Sequence, residues 1–276
     1  MASSSIALVE ASVAPAKADK KRGARFDLWF AAGLLAALGA VLAGIATTGV
    51  SLTYFFQPAA ALIVIGGTCG VALITTPRTA LVHALRRLLR LWAPREFDRT
   101  ALMEEIMTCA RVRRKNGILS LKPLAEQAGH PLIAEMLALV LDIQDRNELH
   151  LALETKMKLR ERHGEADARV WEVLGGFAPT IGVLGTVVGL IDVLRQFSQP
   201  ALIAHGIGTA FLSTIYGLGL ANLVLLPAAG RIRANTVEAF ETEEMIVEGG
   251  LGLLDGIHLA ILRDRLISYL RPAGAI

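Results

Sequence analysis

Charge is what this sequence has least of: Asp, Glu, Lys and Arg make up 19% of its 276 residues, against 53% hydrophobic residues. Soluble domains carry nearer one charged residue in four, so an ordinary water-exposed fold is excluded as a first reading. Cysteine is almost missing as well. Cys69 lies in an apolar run and Cys109 in a charged one, without CxxC spacing or a histidine cluster, so neither a disulfide frame nor a metal site is expected. The six histidines, His83, His130, His150, His163, His205 and His258, stand singly along the chain and receive no role. No GxxxxGK[ST] phosphate loop, HExxH helix or GxSxG turn is present. The GIG and GLG triplets at Gly206–Gly208 and Gly217–Gly219 fall inside an apolar run with no strand before them. The expectation is therefore a protein that is not an enzyme, holds no cofactor and binds no nucleic acid. Lys and Arg number 28 against 25 Asp and Glu, a small excess whose placement matters more than its size.

What is present is apolar length. Four runs, roughly Leu28–Thr47, Phe55–Thr76, Trp171–Leu194 and Leu202–Ala229, each approach the ~20 helical residues that cross a hydrocarbon core. Only TGVSLTY separates the first two and RQFSQPA the last two, which predicts two membrane hairpins. The charged segment 77–170 lies between them. The fold class expected is an all-α membrane protein with four transmembrane helices in two hairpins, a large cytoplasmic helical domain between spans two and three, and a C-terminal cytoplasmic helix. In residues, this divides the chain into a disordered cytoplasmic tail (1–25), hairpin one (26–76), the cytoplasmic domain (77–170), hairpin two (171–229) and the C-terminal helix (230–276). The tail is not read as a secretion signal, because Glu10 interrupts its apolar stretch and the basic residues follow it.

Basic residues fix the expected orientation. Lys17, Lys20, Lys21, Arg22 and Arg25 precede the first span, the central segment is rich in Arg and Lys, and Arg231 and Arg233 follow the last span; all these regions should be cytoplasmic, with both termini inside. Beyond span two, RTALVHALRRLLRLW places Leu81, Leu85, Leu88, Leu89 and Trp92 on one helical face and Arg86, Arg87 and Arg90 largely elsewhere, a basic amphipathic helix at the inner membrane surface. Helices are expected over Thr100–Arg114, Pro131–Gln144 and Glu148–His163, with breaks at Gly129-His130-Pro131 and Asp145-Arg146-Asn147.

The informative residues lie in spans three and four. Gly182, Gly185 and Gly189 form a small face, and Thr209, Ser213, Gly217 and Ala221 recur every four residues in the next span. Small faces let helices approach closely where lipid supplies no hydrophobic drive for association. Pro179 and Pro227 sit near the cytoplasmic ends of their spans, where a missing donor produces either a simple kink or a working hinge. Thr186 and Thr214 are read as the deepest polar groups. Their hydroxyls either bond their own helix backbones or line a path for a desolvated cation. No acid accompanies them, and intramembrane ion transfer usually needs one, so another chain would have to supply it.

GGFAPTIGVLGTVVGLIDVL, GTAFLSTIYGLGLANLVLLPAAGRI, FQPAAALIVIGGTCGVALITTP and RRKNGILSL together resemble the flagellar stator A subunits of the MotA, TolQ and ExbB superfamily, over roughly residues 26–270. The resemblance implies a homopentamer in the bacterial inner membrane enclosing two B subunits, each with a single membrane helix bearing an ion-binding aspartate and a peptidoglycan-binding domain. It also implies a rotor partner of the FliG type. Carried over by motif, Thr186 and Thr214 match the ion pathway and Pro179 and Pro227 the paired prolines. The rotor-facing set becomes Arg113, Arg114, Lys115, Lys122 and Glu126. Lys122 departs from the pattern, taking the place of an acid, so the driven machine is a compensated flagellar rotor or another device. Threonine at both path positions is similar to sodium-type stators, but proton-driven relatives also carry threonines there, so H+ and Na+ both stay open. TolQ- and ExbB-type transducers, with three spans and an outward N-terminus, and a non-conducting scaffold are the alternatives.

Overall fold

The computed structural model describes residues 28–49, 51–91, 98–195 and 200–270. The tail 1–25, Trp92 and most of the loop expected between spans three and four lie outside the described residues. Among those described there are helices and turns but no strand. Helix α1 is Leu28–Thr47, and a turn at Leu52–Phe55 follows, capped by Ser51. Helix α2, Pro58–Thr75, opens on a proline at its first position, where the lost N–H was unpaired anyway. A π-helical turn, Leu62–Gly66, interrupts it. Helix α3 is Arg78–Arg90.

Asp98 caps α4, Arg99–Asn116, its carboxylate accepting from the N–H groups of Thr100 and Ala101. Gly117, at φ 79°, ends that helix in a conformation side chains resist. A turn at Ile118–Leu121 and the short α5, Lys122–Glu126, lead to α6, Pro131–Asp142. Helix α7 is Arg146–Arg195, α8 is Pro200–Gly219, a π-turn spans Leu220–Leu225, and α9 is Leu226–Asp255. The last helix, α10, is Leu259–Ser268.

These elements form two compact units. The charged unit takes Arg95–Glu161 and Val237–Ile276. Its core joins Leu102, Ile106, Leu132, Met136, Leu137, Leu149, Leu153, Met245, Ile246, Leu262 and Leu266, all buried, and truncating one such side chain to alanine costs ~2–5 kcal/mol. Arg160 binds Glu135 through two contacts of 3.0 and 3.1 Å and reaches Glu243 at 3.2 Å, tying α6, α7 and α9 together. Burial pushes the Glu243 carboxyl up from its ordinary value, and Arg160 partly opposes that shift.

The apolar unit takes Phe26–Pro94 and Arg162–Thr236. Its core is rich in alanine, with Ala84, Ala168, Ala178, Ala221, Ala228 and Ala229 packed around Trp171, Leu225 and Ile232. The large side chains Val183, Leu184, Val187, Phe211 and Ile215 point outward instead. Small residues inside and large apolar ones outside is the arrangement lipid favours, since tails solvate leucine as well as a protein core does.

Among the described residues, three helices are long and apolar enough to cross a membrane: Pro58–Thr75, Arg146–Arg195 and Ile203–Asp255. The fourth expected span falls on α1, whose apolar part Ala31–Thr47 is shorter. Other expectations need correction. The helix expected to stop at His163 runs on without interruption to Arg195, because Gly164 is a packing glycine against Thr236 and not a terminator. The C-terminal segment is two helices, since Gly256 adopts φ 67° and Ile257 N–H returns to Gly252 O at 3.2 Å. The single leucine face of α3 is divided: Leu81 and Leu88 pack inward with Ala84 and Leu91, whereas Leu85 and Leu89 are exposed. Arg87 is held by Asp167 and Thr236.

Candidate functional site

The site begins with the contact between the C-terminal part of α7 and α8. A methyl group added at Gly182 would stand 2.8 Å from the carbonyl oxygen of Ser213 and 3.3 Å from the Gly217 Cα, and one at Gly189 would stand 2.6 Å from the Ala210 nitrogen. Gly217 returns the constraint, its added methyl falling 2.7 Å from Ala178 O. These are backbone-to-backbone contacts with no flexible side chain to yield. Gly185 packs on the fully buried Ser213, whose hydroxyl donates to Thr209 O at 2.8 Å. The small faces read from the sequence are thus brought together, and Gly175 and Gly206, which spacing did not single out, extend the seam at its two ends against Leu226 and Val193.

That close approach sets the polar pair. Thr186 Oγ1 and Thr214 Oγ1 lie 2.7 Å apart, and Thr186 Oγ1 is also 3.1 Å from Ala210 O and 3.2 Å from Gly182 O. One hydroxyl carries one proton, so when Thr186 donates to a carbonyl, Thr214 donates to Thr186. The two expectations for these threonines are compatible: both side chains are half-buried and bonded locally, yet they present adjoining oxygens. The nearest acid along α7 is Asp192, about 9 Å further along the axis at 1.5 Å per residue. Among the described residues no cluster of His, Cys, Asp and Glu fit to hold a metal occurs.

Pro179 lies inside α7, and Pro227 stands two residues past Leu225, the end of the π-turn Leu220–Leu225. In that turn Leu226 N–H reaches back five residues to Ala221 O, shifting the hydrogen-bond register just before the residue that cannot donate. Each proline is within about one turn of the Gly175–Leu226 contact. Asn222, exposed in the same π-turn with its amide on Leu218 O at 3.0 Å, is a polar group within the span that the hydropathy pattern hid.

A second polar cluster also escaped sequence reading. Gln57, just before α2, donates from Nε2 to Thr209 Oγ1 at 2.7 Å, lies 3.1 Å from His205 Nδ1, and donates its backbone N–H to Tyr216 Oη at 3.1 Å. Tyr216 in turn donates to Phe55 O. Nothing local in FFQPAA announces a partner in α8, so only the folded chain reveals this clasp.

In the charged unit, the expected rotor-facing residues separate. Arg113 is turned inward, its Nη2 donating to Leu254 O at 2.8 Å in a cleft lined also by Arg114, Gly252 and Gly256. Arg114, Lys115, Lys122 and Glu126 are exposed, with no ion pair among the described residues, and Leu119 between them is 80% exposed. His130, buried at the start of α6, accepts from Leu132 N–H at Nδ1, and its pKa is lowered to about 4, chiefly by burial and then by Arg160.

The chain that builds this glycine-packed hairpin with its paired hydroxyls is similar in sequence to a proton channel family and in fold to a flagellar stator chain. The sequence pattern of the MotA/TolQ/ExbB proton channel family matches residues 124–245, and that of the Motility protein A N-terminal region matches 31–117. The two patterns together take in most of the chain, which is similar to that family. The chain is 27% identical to Motility protein A of Bacillus subtilis, covering 86% of this chain and 88% of that one. It is 28% identical to the uncharacterized protein YtxD of the same organism, covering 89% and 91%. Its fold is similar to a chain of the flagellar MotAB stator complex from Bacillus subtilis, with a TM-score of 0.80 at 26% identity over 87% of this chain and 94% of that chain. The likeness to the C. jejuni MotAB structure, a TM-score of 0.84 at 22% identity over 90% and 98%, concerns the fold.

Proposed function

We propose that this chain is the A subunit of an ion-driven stator, coupling H+ or Na+ flow across the bacterial inner membrane to torque on a flagellar rotor. The observation that carries this reading is the Thr186–Thr214 hydroxyl pair, 2.7 Å apart on a glycine-packed hairpin, whose hydrogen bonds among the described residues go to carbonyls and to each other and not to a carboxylate. Such a wall can pass a desolvated cation only when a second chain brings the charge. That chain is a B subunit with one membrane helix, an intramembrane aspartate and a peptidoglycan anchor, and five A subunits surround two of them. In this reading α1, α2, the second half of α7 and α8 with its π-turn cross the membrane, and both termini and residues 77–170 face the cytoplasm. Pro179 and Pro227 act as hinges, and Arg114, Lys115, Lys122 and Glu126 face a FliG-type rotor protein. The names and folds of the relatives support the assignment. Ion flux into vesicles holding the chain with its B partner tests it: flux is expected only with both chains present, and flux from this chain alone would overturn it.

A further inference from the structure

Helix α3 has three sides, and the core accounts for one. Leu81, Ala84, Leu88 and Leu91 enter the core of the apolar unit, and Arg87 beside them is bonded to Asp167 and Thr236. Turning about 100° per residue, the neighbouring strip carries Val82, Leu85 and Leu89, which are 38%, 48% and 65% exposed. The strip beyond holds Arg86 and Arg90, both exposed, and Arg78 is exposed at the start of the helix. None of these three arginines makes an ion pair among the described residues, and the helix contains no acid.

An exposed leucine strip bordered by unpaired arginines suits neither water nor an uncharged partner. Its position identifies the occupant. Helix α3 begins just after α2 ends at Thr75, and the end of α2 already presents Leu73 and Ile74, 72% and 85% exposed, on a helix long and apolar enough to span. We propose that α3 is a phospholipid-binding helix: Val82, Leu85 and Leu89 enter the acyl-chain boundary while Arg78, Arg86 and Arg90 bind the phosphates of anionic headgroups. The inference rests on α2 being a membrane span and is independent of the stator role.

The test uses the full chain in lipid nanodiscs, in a Cys69→Ser background. Cys109 is buried and its thiol is pushed up to about 12, so it does not compete for the label. A fluorophore is placed on Leu89→Cys and, as a control, on Leu73→Cys. The Leu89 probe is expected to be quenched by brominated lipid, to be shielded from aqueous acrylamide, and to be quenched more by brominated phosphatidylglycerol than by brominated phosphatidylcholine. Arg86→Gln with Arg90→Gln should reduce that headgroup preference by about fivefold per arginine removed. A Leu89 probe open to acrylamide overturns the proposal. So does one silent to both quenchers, which would mean a second copy or another protein covers the strip, and so does one without headgroup preference. If the Leu73 probe is quenched while the Leu89 probe is not, the span stands and the lipid-binding helix falls.

Discussion

Thr186→Val separates an ion-path threonine from a packing one. Valine keeps the volume and removes the hydroxyl that meets Thr214 Oγ1 at 2.7 Å. Melting of the purified protein should change by no more than about 1.5 kcal/mol, the ordinary worth of one hydrogen bond, whereas flux with the B partner should fall by roughly tenfold or more if the oxygen takes part in desolvating the ion. Unchanged flux would favour mere packing. His130 supplies a prediction on stability. Its pKa is about 4 in the folded chain and near 6.5 when unfolded, so the unfolded chain takes up the proton first and stability declines as pH falls from about 6.5 to about 4, then levels off. His130→Asn keeps an acceptor for the Leu132 N–H without a titrating ring, and melting curves across that window should become flatter. Which residues matter was unevenly legible. The threonines stand out as hydroxyls in an apolar run, but the inward turn of Arg113 onto Leu254 O depends on where α9 ends, which no local pattern encodes.

Between elements, the glycine seam is the feature sequence reads best, because in lipid close approach requires small residues at helical spacing. Gly189→Val should destabilise the hairpin by about 1–3 kcal/mol through overpacking against Ala210 and Gly206. Gly176→Ala, with nothing within 4 Å of the added methyl, should leave the melting temperature unchanged or slightly raised. Equal losses in thermal melts of the two variants would contradict the seam. Helix lengths were read less well. Gly164 resembles a terminator in sequence yet serves as a contact point against Thr236, so two expected helices became one of 50 residues. The π-turns at Leu62–Gly66 and Leu220–Leu225 were not foreseen either, since an i→i+5 register leaves no trace in hydropathy.

Across the whole chain, scarcity of charge and its confinement to a few segments made the membrane class legible before any coordinate was known. If the proposed stator role holds, the exposed cations Arg114, Lys115 and Lys122 call for a driven surface that presents acids to them. Lys122→Glu should therefore reduce swimming speed in a motile host while leaving ion flux and melting unchanged, and unaltered swimming would place the rotor contact elsewhere. Swimming speed against external sodium at fixed pH, with a protonophore control, separates the two coupling ions.

The bond between Thr186 and Thr214 also bears on how such a complex is made. Each hydroxyl already has a partner within this chain, so a newly inserted chain leaves neither hydroxyl proton without an acceptor in the hydrocarbon. In the proposed stator, the hairpin would therefore enter the membrane with its polar pair already satisfied, before any B partner is present.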